Sequence, residues 1–340
     1  MKAVQINGYS KKLEAHINDI PISRIDKHQV LIKMYAAGVD PHLKLAINGK
    51  VRVFDQYKFP LTLGIDVSGV IEAVGQEVRN LITGDRVYAL LPLNTMGAFA
   101  EYVVADASIV AKMPGNLSFE EAAAVPLSAL TVVQALNVLK VKAGSKLFIP
   151  GGTGGFGQIA IPYAKSKKLF VAVSGDESSR HVASSIGADH FIDYQRQDYV
   201  KLLKDFDYVI DTRGASEFRK ELSILKSGGK LLSLIAGPNA RFAARQGGFS
   251  TIQKIIFSAI GMPFDIAAYL QHKTYDFLYV QPNGIQLKNI TQWIDETGVK
   301  PIIDSTFPFS QVNEAIAKIA QGTAKGKIIL TTKEVETTNI

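Results

Sequence analysis

Lys146-Leu147-Phe148-Ile149-Pro150-Gly151-Gly152-Thr153-Gly154-Gly155-Phe156-Gly157-Gln158-Ile159-Ala160-Ile161-Pro162-Tyr163-Ala164-Lys165 is the stretch on which the reading of this chain turns. Leu147-Phe148-Ile149 is long enough for one buried strand, and Pro150 ends it. A glycine-rich turn follows, and then an apolar, helix-permissive segment to Lys165. Gly152, Gly154 and Gly157 match G-x-G-x-x-G, in the strand-turn-helix context where that match has a mechanism. Glycines let the backbone turn tightly and let a pyrophosphate approach bare amides, while the helix N-terminus supplies unpaired N–H groups and a positive dipole end. The competing reading is a glycine-rich loop with no ligand. Flanks that fit on both sides favour a dinucleotide site.

Downstream of this loop the texture is regular. Strands are predicted at Leu169–Val173, His190–Ile192, Tyr208–Asp211 and Lys230–Ile235, with helices at Ser178–Ile186 and Phe218–Leu225. Strands alternating with helices at this spacing predict an α/β, doubly wound parallel sheet. Residues 239–273 break the rhythm. Phe249 to Leu270 is apolar at helical spacing, interrupted by Gly261 and Pro263, and reads as two inserted helices before a sixth strand at Tyr275–Val280. These helices cover the site, pack on a partner subunit, or are plain core. A helix over Leu287–Glu296 carries Trp293 on its apolar side. Strands at Val299–Phe307 and Gly326–Leu330 then flank a helix over Val312–Ile319. Glu334 to Ile340 is polar and reads as a frayed end.

Upstream, residues 1–125 are β-rich. Strands are predicted at Val30–Met34, Asp66–Gly75, Val87–Leu91 and Gly97–Val104, with Gly84-Asp85-Arg86 as a turn. Many short strands with Gly and Pro punctuation suggest a barrel-like or sandwich-like unit. Ser118 and Glu121 have the spacing of a capping box, and Pro126 restarts the helix that runs through Leu139.

At 340 residues the chain exceeds what one core usually supports. The net charge of +7 is spread over 38 basic and 31 acidic residues without a block of like charge, so a mixed solvated surface is favoured over a nucleic-acid face. No apolar run reads as a membrane span, the first residues lack the apolar core of a secretory signal, and the expected location is cytoplasmic. There is no cysteine, which excludes disulfides, thiol nucleophiles and cysteine-ligated zinc.

Several motifs, in order, resemble those of the medium-chain dehydrogenase/reductase superfamily, zinc-free quinone oxidoreductase and enone reductase branch. Ala37-Gly38-Val39-Asp40-Pro41 resembles A-G-V-N-P. Pro60 to Gly69 with Ala73-Val74-Gly75 resembles P-x-x-x-G-x-D-x-x-G…V-G. Gly84-Asp85-Arg86-Val87 matches G-D-R-V. Ala123 to Pro126 with Leu130-Thr131 resembles an A-A…L-T helix, and Gly151 to Gly157 resembles G-G-x-G-G-V-G with Phe156 for valine. The resemblance implies a GroES-like catalytic domain from residues 1–125 and 285–340, and a Rossmann nucleotide-binding domain from 126–284. It also implies a homodimer paired through an edge of the nucleotide-binding domain.

In zinc-dependent relatives a cysteine and a histidine of the first domain hold the ion. The matching places here are Asp40 and Ile65, and isoleucine ligates nothing. His42 and Asp66 lie nearby, short of the three protein ligands a catalytic zinc needs, so no metal is expected. Without a Lewis acid, reduction of an electron-poor acceptor is the easier chemistry: hydride adds to a quinone or enone, and the charge developing on oxygen needs a donor. Candidate donors are Tyr57, Lys44 and His42. Asp40 replaces an asparagine the family often carries near the nicotinamide.

By the same resemblance Gly152, Thr153, Gly154, Gly155, Phe156, Gly157 and Thr131 contact the cofactor, and Gly237, Phe277 and Tyr279 flank the nicotinamide. Adenosine choice is made at the end of the second strand. Ser174 there favours NADPH, Asp176 opposes a 2′-phosphate, and Arg180 and Tyr194 compensate. NADPH is favoured, with NADH the alternative. The expected activity is reduction of a small electrophilic substrate, a quinone or α,β-unsaturated carbonyl. The alternatives are an enoyl reductase or dehydrogenase of unnamed substrate, and a dinucleotide-binding structural or regulatory protein without turnover.

Overall fold

The structure is a computed structural model that describes residues 1–332. The predicted frayed end, Glu334–Ile340, lies outside them. In chain order the strands are β1 (Lys2–Ile6), β2 (His16–Asp19), β3 (Gln29–Val39), β4 (Leu61–Thr62), β5 (Asp66–Val74), β6 (Arg86–Leu90), β7 (Tyr102–Asp106) and β8 (Val110–Lys112). Next come β9 (Lys146–Ile149), β10 (Phe170–Gly175), β11 (His190–Asp193), β12 (Phe206–Asp211), β13 (Leu225–Ser233) and β14 (Thr274–Phe277). Last are β15 (Ile303–Pro308) and β16 (Lys327–Thr331). The chain divides into two compact units, one made of residues 1–130 with those from 281 onward, the other of residues 131–280.

In the first unit, β2-β1-β4 form a small sheet and β15-β16-β3-β5-β6-β8 a larger one, with β7 also on β3. Antiparallel β3 is its centre. Alternation is clear along its first half, Val30, Ile32 and Met34 being buried while Lys33 is exposed. Two registers matter for function: Gly38 lies opposite Asp66, and Val39 opposite Ile328. They bring Asp40, Asp66 and Lys327 to one place. The capping box at Ser118 forms in both directions, Glu121 N–H to Ser118 Oγ and Ser118 N–H to Glu121 Oε2. The helix Pro126–Leu139 starts on its proline.

The second unit is a parallel sheet, order β11-β10-β9-β12-β13-β14. Strands covered on both faces read as continuous apolar runs, and β9 and β10 are buried at every position after the first. The order reverses at the neighbours β9 and β12, and their carboxyl ends are where such sheets bind ligands.

Several boundaries differ from the sequence expectation. Gly97–Val104 does not begin as a strand: Gly97 has φ +122° and the amides of Gly97 and Ala98 both donate to Gly64 O, so pairing with β3 starts at Tyr102. The helix expected to reach Leu225 ends at Ser223, because Leu225 already pairs with Phe206 in β13. The sixth strand stops at Phe277 rather than Val280. Finally, Gly261 and Pro263 do not divide a helix. One helix, Thr251–Tyr269, contains both, and the other inserted helix is the separate Ala240–Gln246. A Cβ on Gly261 would stand 2.3 Å from Cβ of Asn239, so the glycine serves close packing against the residue that caps the other helix rather than chain breaking. Among the described residues no helix is long and apolar enough to cross a membrane.

Candidate active site

The glycine loop between β9 and the helix Gly157–Ser166 is built from backbone contacts. A Cβ on Gly157 would lie 1.8 Å from the carbonyl oxygen of Gly152, and one on Gly152 would lie 2.8 Å from that of Ile149. Gly151 has φ +64°. Gly154, by contrast, meets nothing within 4 Å and faces open space. Three glycines therefore make the turn, and the fourth leaves room above it for a ligand. This is the cradle a dinucleotide pyrophosphate needs at a helix N-terminus, and these residues fit that group. Thr153 packs onto the carboxyl end of β10, where a Cβ on Gly175 would meet its Oγ1 at 2.7 Å.

Around this loop lies a cavity of about 330 Å³ whose walls include Pro150, Gly151, Ser174, Tyr194, Gln197 and Arg213. Ser174 is buried and its Oγ accepts the Gly151 amide at 3.0 Å, joining the ends of β9 and β10. Tyr194 stands exposed on the wall. Asp176 and Arg180 are turned to local partners. Asp176 accepts from the hydroxyls of Ser178 and Ser179, and Arg180 forks onto Glu177 at 2.6 and 2.9 Å and stacks over Phe191 at 4.6 Å. Thr131 is buried. The carbonyl of Gly237 accepts from the Tyr275 hydroxyl at 2.6 Å. Phe277 points into the core, edge-on to Phe242 at 5.1 Å, while Tyr279 is half-buried.

The end of β12 belongs to the same neighbourhood, and the motifs did not flag it. Buried Asp211 accepts the amides of Arg213 and Gly214 at 2.6 and 2.7 Å on one oxygen and the Ser233 hydroxyl at 2.5 Å on the other. Thr212 Oγ1 donates to Pro150 O at 2.5 Å. Beneath it, Glu221 is fully buried, and burial first, then Asp211, pushes its carboxyl up to about 9. At neutral pH it keeps its proton. The signal that finds this strand end is the sheet order, since β12 neighbours β9 at the reversal point.

The first unit holds the three proposed donors, and the structure separates them. His42 Nε2 and Tyr57 Oη lie 3.5 Å apart. Burial lowers His42 to about 4, so its imidazole is neutral. Burial, then the Asp55 carboxylate, pushes the Tyr57 phenol well up, so it remains a hydrogen-bond donor. Tyr9 packs against Tyr57 and Phe59, and Arg52 lies 3.7 Å from the Tyr9 ring centre. Lys44 is elsewhere: its ammonium is exposed and donates to the carbonyl of Ala320 near the end of the helix Val312–Gln321.

Beside His42 sits a buried charge cluster. Lys327 is bonded to Asp40 and lies 3.3 Å from Asp66, and all three are almost fully buried. Leu127 N–H adds a bond to Asp66 at 2.9 Å. The two carboxylates keep the Lys327 ammonium protonated against its burial. Burial, then Asp40, raises Asp66 well above the usual carboxylate range. This arrangement does not fit a zinc ion. Asp40 is occupied by the ammonium, neighbouring Ile65 offers only hydrocarbon, and no group of three His, Cys, Asp or Glu residues that could hold a metal is found among the described residues.

Comparison with known proteins agrees with this geometry. Residues 26–115 match the alcohol dehydrogenase GroES-like domain and residues 186–330 the zinc-binding dehydrogenase family. The chain is 30% identical to the mitochondrial NAD(P)H oxidoreductase RTN4IP1 of Danio rerio, over 90% of this chain and 84% of that protein. It is 31% identical to 2-methylene-furan-3-one reductase of Solanum lycopersicum, over 97% of this chain and 79% of that one. The solved quinone oxidoreductase of Coxiella burnetii superposes with a TM-score of 0.83 at 26% identity, covering 98% of this chain and 99% of its own. A glycine cradle at the reversal point of a parallel sheet, carried in a chain with these relatives, places the protein in the medium-chain dehydrogenase/reductase superfamily, in its quinone oxidoreductase branch, as an NAD(P)H-dependent oxidoreductase.

Proposed function

We propose that this protein reduces a quinone or an α,β-unsaturated carbonyl with NADPH, without a metal. The observation that carries the reading is the glycine cradle, where Gly152 and Gly157 hold the turn and Gly154 leaves the ligand side open. Names of relatives support the acceptor class, one being a 2-methylene-furan-3-one reductase and another a quinone oxidoreductase. Bound nicotinamide supplies the hydride. The chain's own part is to orient that cofactor and to offer a hydrogen bond to the oxygen where charge develops. Tyr57, kept protonated by burial and backed by neutral His42, is the candidate donor in the first unit. Lys327 balances Asp40, so that no uncompensated carboxylate sits beside His42 to oppose an anionic product.

The test is absorbance-monitored NADPH oxidation with a panel of small quinones and enones, alongside calorimetric binding of NADPH. Turnover with either acceptor class supports the reading. Tight binding without oxidation of cofactor across the panel supports the non-catalytic alternative instead. We also propose a homodimer joined at the edge of the nucleotide-binding sheet. β14 is an edge strand, and the adjoining helix Thr251–Tyr269 exposes Ile252, Ile255 and Ile266. Sedimentation showing only monomer at micromolar concentration would remove it.

A further inference from the structure

We propose that Arg213, on the loop after β12, is the residue that grips the 2′-phosphate of NADPH. The inference rests on the NADPH reading above, and it moves phosphate recognition from the strand end that the sequence indicates to a different one.

The end of β10 has no cation to spare. Arg180 is forked onto Glu177 and stacked over Phe191, away from the cavity wall. Arg213 is on that wall. Its guanidinium has no hydrogen-bonding or ion-pair partner among the described residues. Its side chain reaches back over the glycine loop. A Cβ on Gly151 would stand 3.1 Å from Arg213 Cδ and 3.8 Å from one guanidinium nitrogen. The same Gly151 donates its amide to Ser174 Oγ at 3.0 Å. Arg213 and Ser174, from two strand ends, therefore flank one glycine, with the Tyr194 side chain on the same cavity wall.

The loop is held to place that side chain. Asp211 fixes the amides of Arg213 and Gly214, and Thr212 ties the loop to Pro150. Asp198 and Glu217 share the cavity wall with Arg213, and each has a hydrogen-bond partner of its own. Glu217 accepts from the Tyr199 hydroxyl at 3.1 Å and from Lys220 at 3.3 Å. Asp198 accepts the Val200 amide at the start of its helix, and Glu221 keeps its proton. A planar guanidinium with unspent donors, beside two hydroxyl side chains, suits a phosphate dianion better than a ribose diol. The step is binding only, with no bond made or broken.

The test is calorimetric titration of the full-length protein, Arg213→Ala, Arg213→Lys and Arg180→Ala with NADPH, NADH and adenosine 2′,5′-bisphosphate. Arg213→Ala is expected to weaken NADPH and the bisphosphate by about 10–100-fold, the scale of a lost charge-assisted contact, and to leave NADH binding intact. Arg213→Lys should recover part of the loss. If Arg213→Ala weakens NADH and NADPH alike, the side chain serves adenine or the loop, and the assignment falls. If Arg180→Ala abolishes the preference while Arg213→Ala keeps it, the second strand end does the work and the assignment falls. A wild-type protein that binds both nucleotides equally overturns the choice of NADPH and this assignment with it.

Discussion

The glycine cradle of the second unit and the buried Lys327–Asp40–Asp66 cluster of the first are opposite ways to make an electrostatic site. The cradle spends no side-chain charge. It arises from neighbours in sequence, Gly151 to Gly157, whose missing Cβ atoms let carbonyls and amides approach closely. The cluster is all side-chain charge, taken from residues 287 and 261 positions apart and joined by the registers of β16 on β3 and of β3 on β5. One should fail sharply and locally when a methyl group is added. The other should fail when a single partner is lost, because an unpaired charge is then left in a dry core.

The largest expected effect is on the cluster. Lys327→Met should lower unfolding free energy by about 3–5 kcal/mol in urea titration, the cost of orphaning a buried charge. Adding Asp40→Asn and Asp66→Asn to the same chain should recover much of that loss. A triple variant no more stable than the single one would mean that the lysine matters for packing rather than charge.

On the cradle side, Gly157→Ala should cost about 1–3 kcal/mol, by forcing the turn apart against the Gly152 carbonyl, and should weaken nucleotide binding. Gly154→Ala meets no neighbour and should change thermal stability by less than about 0.5 kcal/mol. Equal stability losses at the two glycines would break the distinction drawn here between turn-making and ligand-facing positions.

Glu221 offers a pH test within the nucleotide-binding unit. Its folded pKa, about 9, lies above the ordinary carboxyl value of 4.5. The folded chain therefore binds the proton more tightly than the unfolded one. The stability this contributes is complete below pH 4.5 and is lost as pH rises toward 9. Glu221→Gln is close in size, stays neutral at every pH and removes the titration. It should flatten that fall and gain ~1–3 kcal/mol over the parent at pH 8 relative to pH 5, read from denaturant midpoints. Parallel pH profiles for parent and variant would show that Glu221 is ionised in the folded protein. The smallest expected effect is Tyr57→Phe. With its contact to His42 at 3.5 Å, it should slow turnover by no more than about tenfold while nucleotide affinity is unchanged.

The local parts of the architecture were legible. Ser118 and Glu121 cap a helix in the spacing read from the chain, Pro126 begins the next, and the glycine loop joins strand to helix. Each is settled within a few residues, where backbone sterics and one side-chain bond decide. The misplaced boundaries were settled from farther away. Gly97 turns because Gly64 receives its amide, Leu225 is extended because Phe206 pairs with it, and Gly261 stays helical because Asn239 packs against it. Among the candidate site residues, Ser174 and Tyr194 line the cavity, whereas Arg180 and Lys44 have taken other partners. An arginine read along the chain does not reveal whether a glutamate three residues away already holds it.

From the chain alone came the nucleotide cradle, the alternation that makes a parallel sheet, and the missing cysteines that rule out thiolate chemistry. Each depends on composition or on contacts between neighbours in sequence, which folding does not rearrange. Only the tertiary structure could decide that Lys327 pairs with Asp40, that burial raises the Glu221 carboxyl, and that Arg213 rather than Arg180 lines the cavity beside the glycine loop. Charge and proton affinity depend on what surrounds a group in space, and those surroundings exist only once distant strands have paired.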